Sequence, residues 1–460
     1  AERAERLREV RARFLREGEE IAQIVSRETG KPLVEAILSE VIPNADLFAY
    51  WAKHAEGFLK PEKVGMNPVN YPGKRAVIRY EPRGVIGLIT PWNYPVAIPI
   101  RSLAPALMAG NTVVFKPSEY AALSGARLAS IFQSVLPEGV LEIVQGGGDL
   151  GARVVSLADM VIFTGSVPTG RKIALQAAER LIPVALELGG KDAAIVLEDA
   201  DLDRTAAGVV WGAFTNAGQN CASVERVYVH ENVADAFIGK VKEIAGSLRM
   251  GREGEVGPLT NANQWRIVAE QMKDAREKGA KVLVGGEPLP HGYGFEPTVL
   301  ETADEGLAVM REETFGPVLP IVRVKDADDA VARANRSPYG LTASLWTRDT
   351  ERAERLAGRL ETGVVTINNH GFTGAVCSLP WSGVKDTGYG ATNSHVAIRE
   401  MVHPKVVLVD RNKAKELWWY PYNAAILGIA RALVALQTPG AGKLRALGRL
   451  LANFPKRFRA

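Results

Sequence analysis

Met160-Val-Ile-Phe-Thr-Gly-Ser-Val-Pro-Thr-Gly170 begins as a short apolar run rich in strand formers, turns on Gly165-Ser166, and continues into an amphipathic stretch over 169–180. A strand, a tight turn and a helix in that order make half of a βαβ unit. The pattern recurs outward. Gly84-Val-Ile-Gly-Leu-Ile-Thr90, Thr112-Val-Val-Phe-Lys116, Leu141-Glu-Ile-Val144 and Val184-Ala-Leu-Glu-Leu188 read as further strands, with helical periodicity between them, as in 121–134. A second set follows Cys221: Arg226-Val-Tyr-Val229, Lys281-Val-Leu-Val284, Pro317-Val-Leu-Pro-Ile-Val322, Ala343-Ser-Leu-Trp346 and Val364-Val-Thr-Ile367. The economical reading is an α/β chain with two doubly wound parallel-sheet domains in tandem.

Two segments fit neither set. Arg75-Ala-Val-Ile-Arg-Tyr80, after Pro72-Gly73, and Lys405-Val-Val-Leu-Val409 look like edge strands, which proteins cover or pair, so a β-ribbon serving a homodimer or homotetramer is expected. The 460 residues have room for such an architecture without staples. Cys221 and Cys377 are the only cysteines, too few for a disulfide framework and without zinc spacing, so no metal is expected and the default setting is cytoplasmic. The start, Ala1-Glu-Arg-Ala-Glu-Arg-Leu7, is a charged helical pattern rather than the apolar core of a signal peptide. The net charge of +4 conceals an asymmetry: from Arg411 onward ten Lys/Arg face one acid, Glu416, which leaves the preceding body at −5. A mildly acidic body excludes a nucleic-acid role for it and assigns the basic character to the tail.

Val184-Ala-Leu-Glu-Leu-Gly-Gly-Lys191 and Phe214-Thr-Asn-Ala-Gly-Gln-Asn-Cys221 place a carboxylate and a thiol 34 residues apart. A thiol with an ordinary pKa near ~8.5 needs a base or an electropositive setting to act as a nucleophile, and Glu187 is a candidate partner. A single cysteine is more often inert core. The Gly165-Ser-Val-Pro-Thr-Gly170 turn is not the usual dinucleotide fingerprint, yet it offers backbone N–H groups and a helix N-terminus to a pyrophosphate.

Six runs in fixed order resemble the aldehyde dehydrogenase superfamily over roughly residues 1–410: Pro91-Trp-Asn-Tyr-Pro95, Phe115-Lys-Pro-Ser-Glu119, Phe163-Thr-Gly-Ser166 with Gly170, Glu187-Leu-Gly-Gly-Lys191, Gly218-Gln-Asn-Cys221 and Glu313-Thr-Phe-Gly-Pro317. The resemblance implies a Rossmann-like NAD-binding domain (1–62 and 83–189), a catalytic domain (190–385), oligomerisation strands (63–82 and 400–410) and a basic extension (411–460). It implies Cys221 as nucleophile, Glu187 as the base that hydrolyses a thioester, and Asn93 as an oxyanion donor; read alone, Asn93 is more readily a turn-stabilising asparagine. Around the cofactor it implies Thr90, Pro91, Trp92, Lys116, Ser118, Glu119, Gly165, Ser166, Gly170, Glu313 and Phe315. The carboxylate of Glu119 accepts from ribose hydroxyls and repels a 2′-phosphate, so NAD is favoured over NADP. Tyr94, Arg101 and Trp381 are expected at the substrate pocket. The expected reaction is oxidation of an aldehyde to a carboxylic acid, an EC 1.2.1 activity, against a coenzyme A-acylating dehydrogenase or a catalytically silent binding protein of the same fold.

The chain departs from the family in two places. A lysine that many members carry after the Pro-Trp-Asn run is replaced by Ser102, with Arg101 beside it, and the guanidinium suits an anionic substrate end. The tail, with Trp418-Trp-Tyr-Pro-Tyr422 and apolar-basic stretches at 423–437 and 443–459, has two readings: peripheral contact with anionic lipid or a neighbouring subunit, or helices packed on their own body with solvated charges.

Overall fold

In the computed structural model, which describes residues 1–458 apart from 69, 414 and 441, Met160–Thr164 pairs in parallel with Val85–Ile89 on one side and Val184–Glu187 on the other. Arg459, one of the ten basic residues of the tail, lies outside the described residues. Beyond Val85–Ile89 follow Thr112–Lys116 and Leu141–Ile143, also parallel. The chain thus starts mid-sheet, winds to one edge and returns to the other. That order creates a switch point between Val85–Ile89 and Met160–Thr164, where a crevice opens at the carboxyl ends of the strands. The helix Val167–Glu179 begins at that crevice.

The second sheet runs in the order Lys281–Val284, Thr298–Glu301, Val318–Val324, Val224–His230, Asp192–Val196, Thr342–Trp346, Val364–Ile367. Asp192–Val196 and Thr298–Glu301 escape the sequence reading. The first is Asp-Ala-Ala-Ile-Val, whose alanines carry little strand preference; it is a strand because it is buried on both faces at the centre of the sheet. Both sheets are parallel except at one edge each. Lys281–Val284 joins antiparallel through a bulge, and the short Gly388–Tyr389 strand returns to pair antiparallel with Val184–Glu187, setting Gly388 opposite Glu187.

Residues 1–60 and 80–404 form one compact unit that contains both sheets, and residues 61–79 and 405–460 form another. In the first, Glu2–Arg16 buries Leu7, Val10 and Phe14 at helical spacing, and Phe14 meets Phe48 of Ile42–Phe58 edge-on at 5.4 Å. A π-helical turn, Ile37–Val41, interrupts the chain just before Ile42–Phe58 and turns Glu40 inward. The two strands that sequence left outside both domains pair in one three-stranded sheet, order Glu62–Val64, Lys74–Pro82, Val402–Asp410. In the second unit, Lys74 holds Asp410 at 2.7 Å and also Glu416.

Candidate active site

A cavity of about 280 Å³ brings Glu187 and Cys221 together with Pro91, Trp92, Asn93, Gly165, Ser166, Glu313 and Phe315. Its walls come from the segments that leave the strands ending at Ile89, Thr164 and Glu187, facing the loop that carries Cys221. Two glycines make this convergence possible. A Cβ on Gly189 would lie 2.5 Å from the Glu313 carboxylate, and one on Gly190 would lie 2.6 Å from the Cys221 carbonyl oxygen. Sequence reasoning missed Ile98, Asn263, Gln264 and Ile267 in the lining, which lie outside any motif.

Cys221 follows a strained turn. Asn216 and Ala217 both adopt φ of 54° and Gly218 φ of 71°, and a Cβ on Gly218 would sit 2.1 Å from the Gly316 carbonyl oxygen. A left-handed non-glycine residue costs roughly 1–2 kcal/mol, so two in succession persist only where surrounding contacts hold them. Those contacts are present. Asn216 donates from Nδ2 to the Asn93 and Gln219 carbonyls at 3.0 and 2.9 Å, and Glu35 accepts from the Thr215 hydroxyl at 2.6 Å and from the Asn216 backbone N–H. Asn93 Nδ2 in turn donates to the Gln219 carbonyl at 3.1 Å, which occupies one of its two amide hydrogens.

The Pro-Trp-Asn-Tyr-Pro turn is held from the other side by an ion pair that no motif announced. Lys31 and Glu40 have no exposed side-chain surface and meet at 3.0 Å. Lys31 Nζ also donates to the Asn93 carbonyl at 3.1 Å and lies 4.0 Å from the centroid of the Tyr94 ring. The second oxygen of Glu40 accepts from the backbone N–H groups of Val96 and Ala97, at the start of the helix Ala97–Ala109, where a carboxylate also meets the positive end of the helix dipole.

Burial dominates the electrostatics. It pushes the Cys221 thiol up to about 12; the Arg101 guanidinium opposes the shift, while Asp192, Glu187 and Glu313 add to it. Burial also raises Glu187 well above the carboxylate range, again opposed by Arg101 and by hydrogen-bond donors at Trp381 and the Thr392 backbone. Trp381 is buried against Ala222 and Leu341 in a small cluster that also touches Cys221. Arg101 itself packs where a Cβ on Gly374 would be 3.2 Å from its guanidinium, on the loop beside Trp381. His370 is buried with Nε2 2.6 Å from the Ala222 carbonyl, and burial lowers its pKa to about 4, so it is neutral and donates there.

On the cofactor side, the Lys191–Glu225 pair fixes the loop with Glu313 and Phe315. Lys191 Nζ binds Glu225 at 2.5 Å and Thr314 Oγ1 at 2.9 Å, and Glu225 accepts from the Thr314 and Phe315 backbone N–H groups, each at 2.8 Å. Glu313 accepts from the Gly190 N–H at 3.0 Å, and burial raises its pKa. Phe315, at φ of 50°, meets Trp92 edge-on at 5.6 Å. Ser166, in the cavity lining, stands in extended conformation before Val167–Glu179 and its side chain does not cap the helix, which leaves the first-turn N–H groups uncapped, an arrangement that can take a pyrophosphate. Thr90 Oγ1, Asn93 Oδ1 and Glu187 Oε1 are buried at this site with no partner among the described residues, polar atoms that a bound ligand can satisfy.

The remaining expected residues lie outside the cavity wall. Lys116 is buried with its ammonium 3.7 Å from the half-exposed Glu119, and Ser118 accepts from the Tyr120 N–H. Gly170 sits within the helix, where a Cβ would meet Leu188 at 2.5 Å, so its small size serves helix packing on the strand. Thr90, Tyr94, Arg101 and Trp381 are not among the residues that line the cavity. Cys377 is buried in the core around the N-terminal helices.

The sequence model of the aldehyde dehydrogenase family matches residues 1–407. This chain belongs to the aldehyde dehydrogenase family. Among its relatives, the 4,4'-diapolycopene aldehyde oxidase of Methylomonas sp is 39% identical over 433 residues, 92% of this chain and 81% of that one. A chloroplastic aminoaldehyde dehydrogenase of Arabidopsis thaliana is 37% identical over 405 residues, 85% and 79% of the two chains. The NAD+ complex of an aldehyde dehydrogenase from Bacillus cereus superposes with a TM-score of 0.86 at 32% identity, covering 89% of this chain and 84% of that one. As a member of this family, the chain is an oxidoreductase acting on aldehydes, and its mixed α/β fold with parallel sheets is that of the family.

Proposed function

We propose that this chain oxidises an aldehyde to a carboxylic acid with NAD as the hydride acceptor and water as the acyl acceptor. The observation that carries the reading is the meeting of Glu187, Cys221 and Asn93 in one cavity. Cys221 sulfur, once ionised, adds to the carbonyl carbon; a C–S bond forms and the carbonyl π pair moves onto oxygen. The second amide hydrogen of Asn93 and the backbone N–H of Cys221 stabilise that oxygen. Bound NAD would supply the acceptor for the hydride that leaves the same carbon as the oxygen pair re-forms the carbonyl, which leaves an acyl thioester on Cys221. Glu187 then takes a proton from water as it attacks, the C–S bond breaks, and the acid departs.

The raised pKa values fit this division of labour. Burial raises the Glu187 carboxyl well above its usual range, so its base form grows over a higher pH range than that of an ordinary carboxylate, and turnover should rise with it. A thiol near about 12 is protonated before the reaction starts, and its ionisation draws on the positive charge of Arg101 and of the bound cofactor. NAD rather than NADP is favoured by Glu119, a carboxylate at the ribose end with Lys116 already beside it. Arg101 favours neutral or anionic aldehydes over cationic ones, because its charge already acts on both Cys221 and Glu187. The test is NADH absorbance on mixing the protein with NAD and a panel of neutral, anionic and cationic aldehydes. Signal from the first two classes, abolished by Cys221→Ser, supports the reading; no signal with any of them would remove it.

A further inference from the structure

The helices Ala424–Gln437 and Lys443–Asn453 pack closely enough that Gly428 has the Asn453 side chain 2.9 Å from where its Cβ would be. Their shared seam is made of small residues and one isoleucine, with Ala425, Ile429, Ala432 and Ala446 buried. The second helix carries another apolar stripe that the seam does not use. Leu444, Leu447, Leu451 and Phe454, spaced three and four apart, lie on one outer face, and Leu444 is 88% and Leu451 65% exposed. Next to this pair, Leu417, Trp418, Tyr422, Ile426, Leu427 and Leu433 line an apolar depression of about 580 Å³. Arg457 ties the segment together by donating to the Leu417 carbonyl at 2.8 Å and to the Trp419 carbonyl.

The charges around this surface are of one sign. Arg431, Lys443, Arg445, Arg449 and Lys456 are exposed on the same two helices and the turn after them, and no acid occurs in the sequence after Glu416. Exposed aromatic side chains, Trp418, Trp419, Tyr420 and Tyr422, flank it. An apolar stripe bordered by cations and Trp/Tyr side chains matches the boundary between headgroups and acyl chains, where rings with one polar end concentrate and basic residues meet anionic lipid. A second copy of this surface would bring like charges together. Helices of 14 and 11 residues cannot cross a bilayer, and among the described residues no helix is long and apolar enough to do so.

We propose that this helical pair is a membrane-docking surface that lies in the plane of an anionic lipid bilayer, with Leu444, Leu447, Leu451 and Phe454 inserted and Arg445 and Arg449 at the headgroups. It does not rest on the catalytic reading. The test is flotation of the full chain with phosphatidylcholine vesicles that either contain or lack phosphatidylglycerol. The expected result is capture by the phosphatidylglycerol vesicles alone, released as salt is raised, with a loss on the order of tenfold or more in Arg445→Gln/Arg449→Gln. Leu447→Gln/Leu451→Gln should lose capture while keeping the parent melting temperature, since these side chains face outward. Equal capture by both vesicle types overturns the anionic assignment. No capture by either overturns the proposal, and if the leucine variant then also changes oligomeric state, a second copy is the occupant.

Discussion

Replacing Lys31 by Met should reveal how the site is held. The substitution conserves length and apolar volume but leaves the Glu40 carboxylate buried without its cation, with only the Val96 and Ala97 N–H groups at 3.2 and 2.7 Å. Breaking one partner of a fully buried pair costs about 3–5 kcal/mol. Activity should fall less steeply. The Asn93 carbonyl loses Lys31 at 3.1 Å but keeps Asn216 at 3.0 Å, so the turn loosens without losing its anchor. Complete loss of an oxyanion donor costs about 10²–10³ in kcat, which sets the ceiling; a drop of roughly tenfold is expected for a loosened one. In the double variant Lys31→Met/Glu40→Gln, a neutral amide oxygen can still accept from the helix start, so most of the stability should return while kcat stays low. Urea unfolding and steady-state kinetics on the four proteins of the cycle measure both. Additive stability effects, with no coupling of about 2 kcal/mol or more, would refute the reasoning, as would full kcat in Lys31→Met.

Two further perturbations follow from the electrostatics. Arg101→Met should push the Cys221 thiol higher still, because the guanidinium is what opposes burial there. Alkylation of Cys221 by iodoacetamide near neutral pH, read on the Cys221 peptide by mass spectrometry, should slow in proportion to the thiolate fraction, roughly tenfold if the thiol pKa rises by one, and an unchanged rate would exclude that role. His370 is lowered from 6.5 to about 4, so the unfolded chain binds a proton below 6.5 that the folded chain refuses until about 4. Stability is therefore lost as pH falls through that window, by up to about 3 kcal/mol, and His370→Gln should flatten the acid limb of the unfolding free energy.

The strands on which the site is built were legible because parallel strands inside a sheet read as continuous apolar runs; Thr112–Lys116 and Met160–Thr164 match the sequence limits residue for residue, as do the edge strands Lys281–Val284 and Val364–Ile367. Asp192–Val196 was not, since its alanines signal nothing until the neighbouring strands bury them. Glu187, Cys221, Asn93 and Glu313 were legible as motifs. Lys31, Glu35, Glu40 and Glu225 were not, although they fix those motifs in place. They lie 62 residues from Asn93, 181 from Asn216, 57 from Ala97 and 90 from Phe315 along the chain, with no local spacing to mark the pairings. The outer stripe of Lys443–Asn453 shows the same limit: the sequence showed an apolar-basic stretch, and only the packing of Ala446 against its neighbour separates the covered face from the open one.

The division of labour between Cys221 and Glu187 is the central claim, and rapid-mixing measurement of NADH formation in Glu187→Gln tests it most directly. In the proposed reaction, attack and hydride transfer need the thiol, Asn93 and the cofactor, whereas thioester hydrolysis needs the carboxylate. The account predicts a burst of NADH stoichiometric with active sites followed by very slow turnover. Loss of the burst together with turnover would contradict it, and would make Glu187 the base that ionises Cys221.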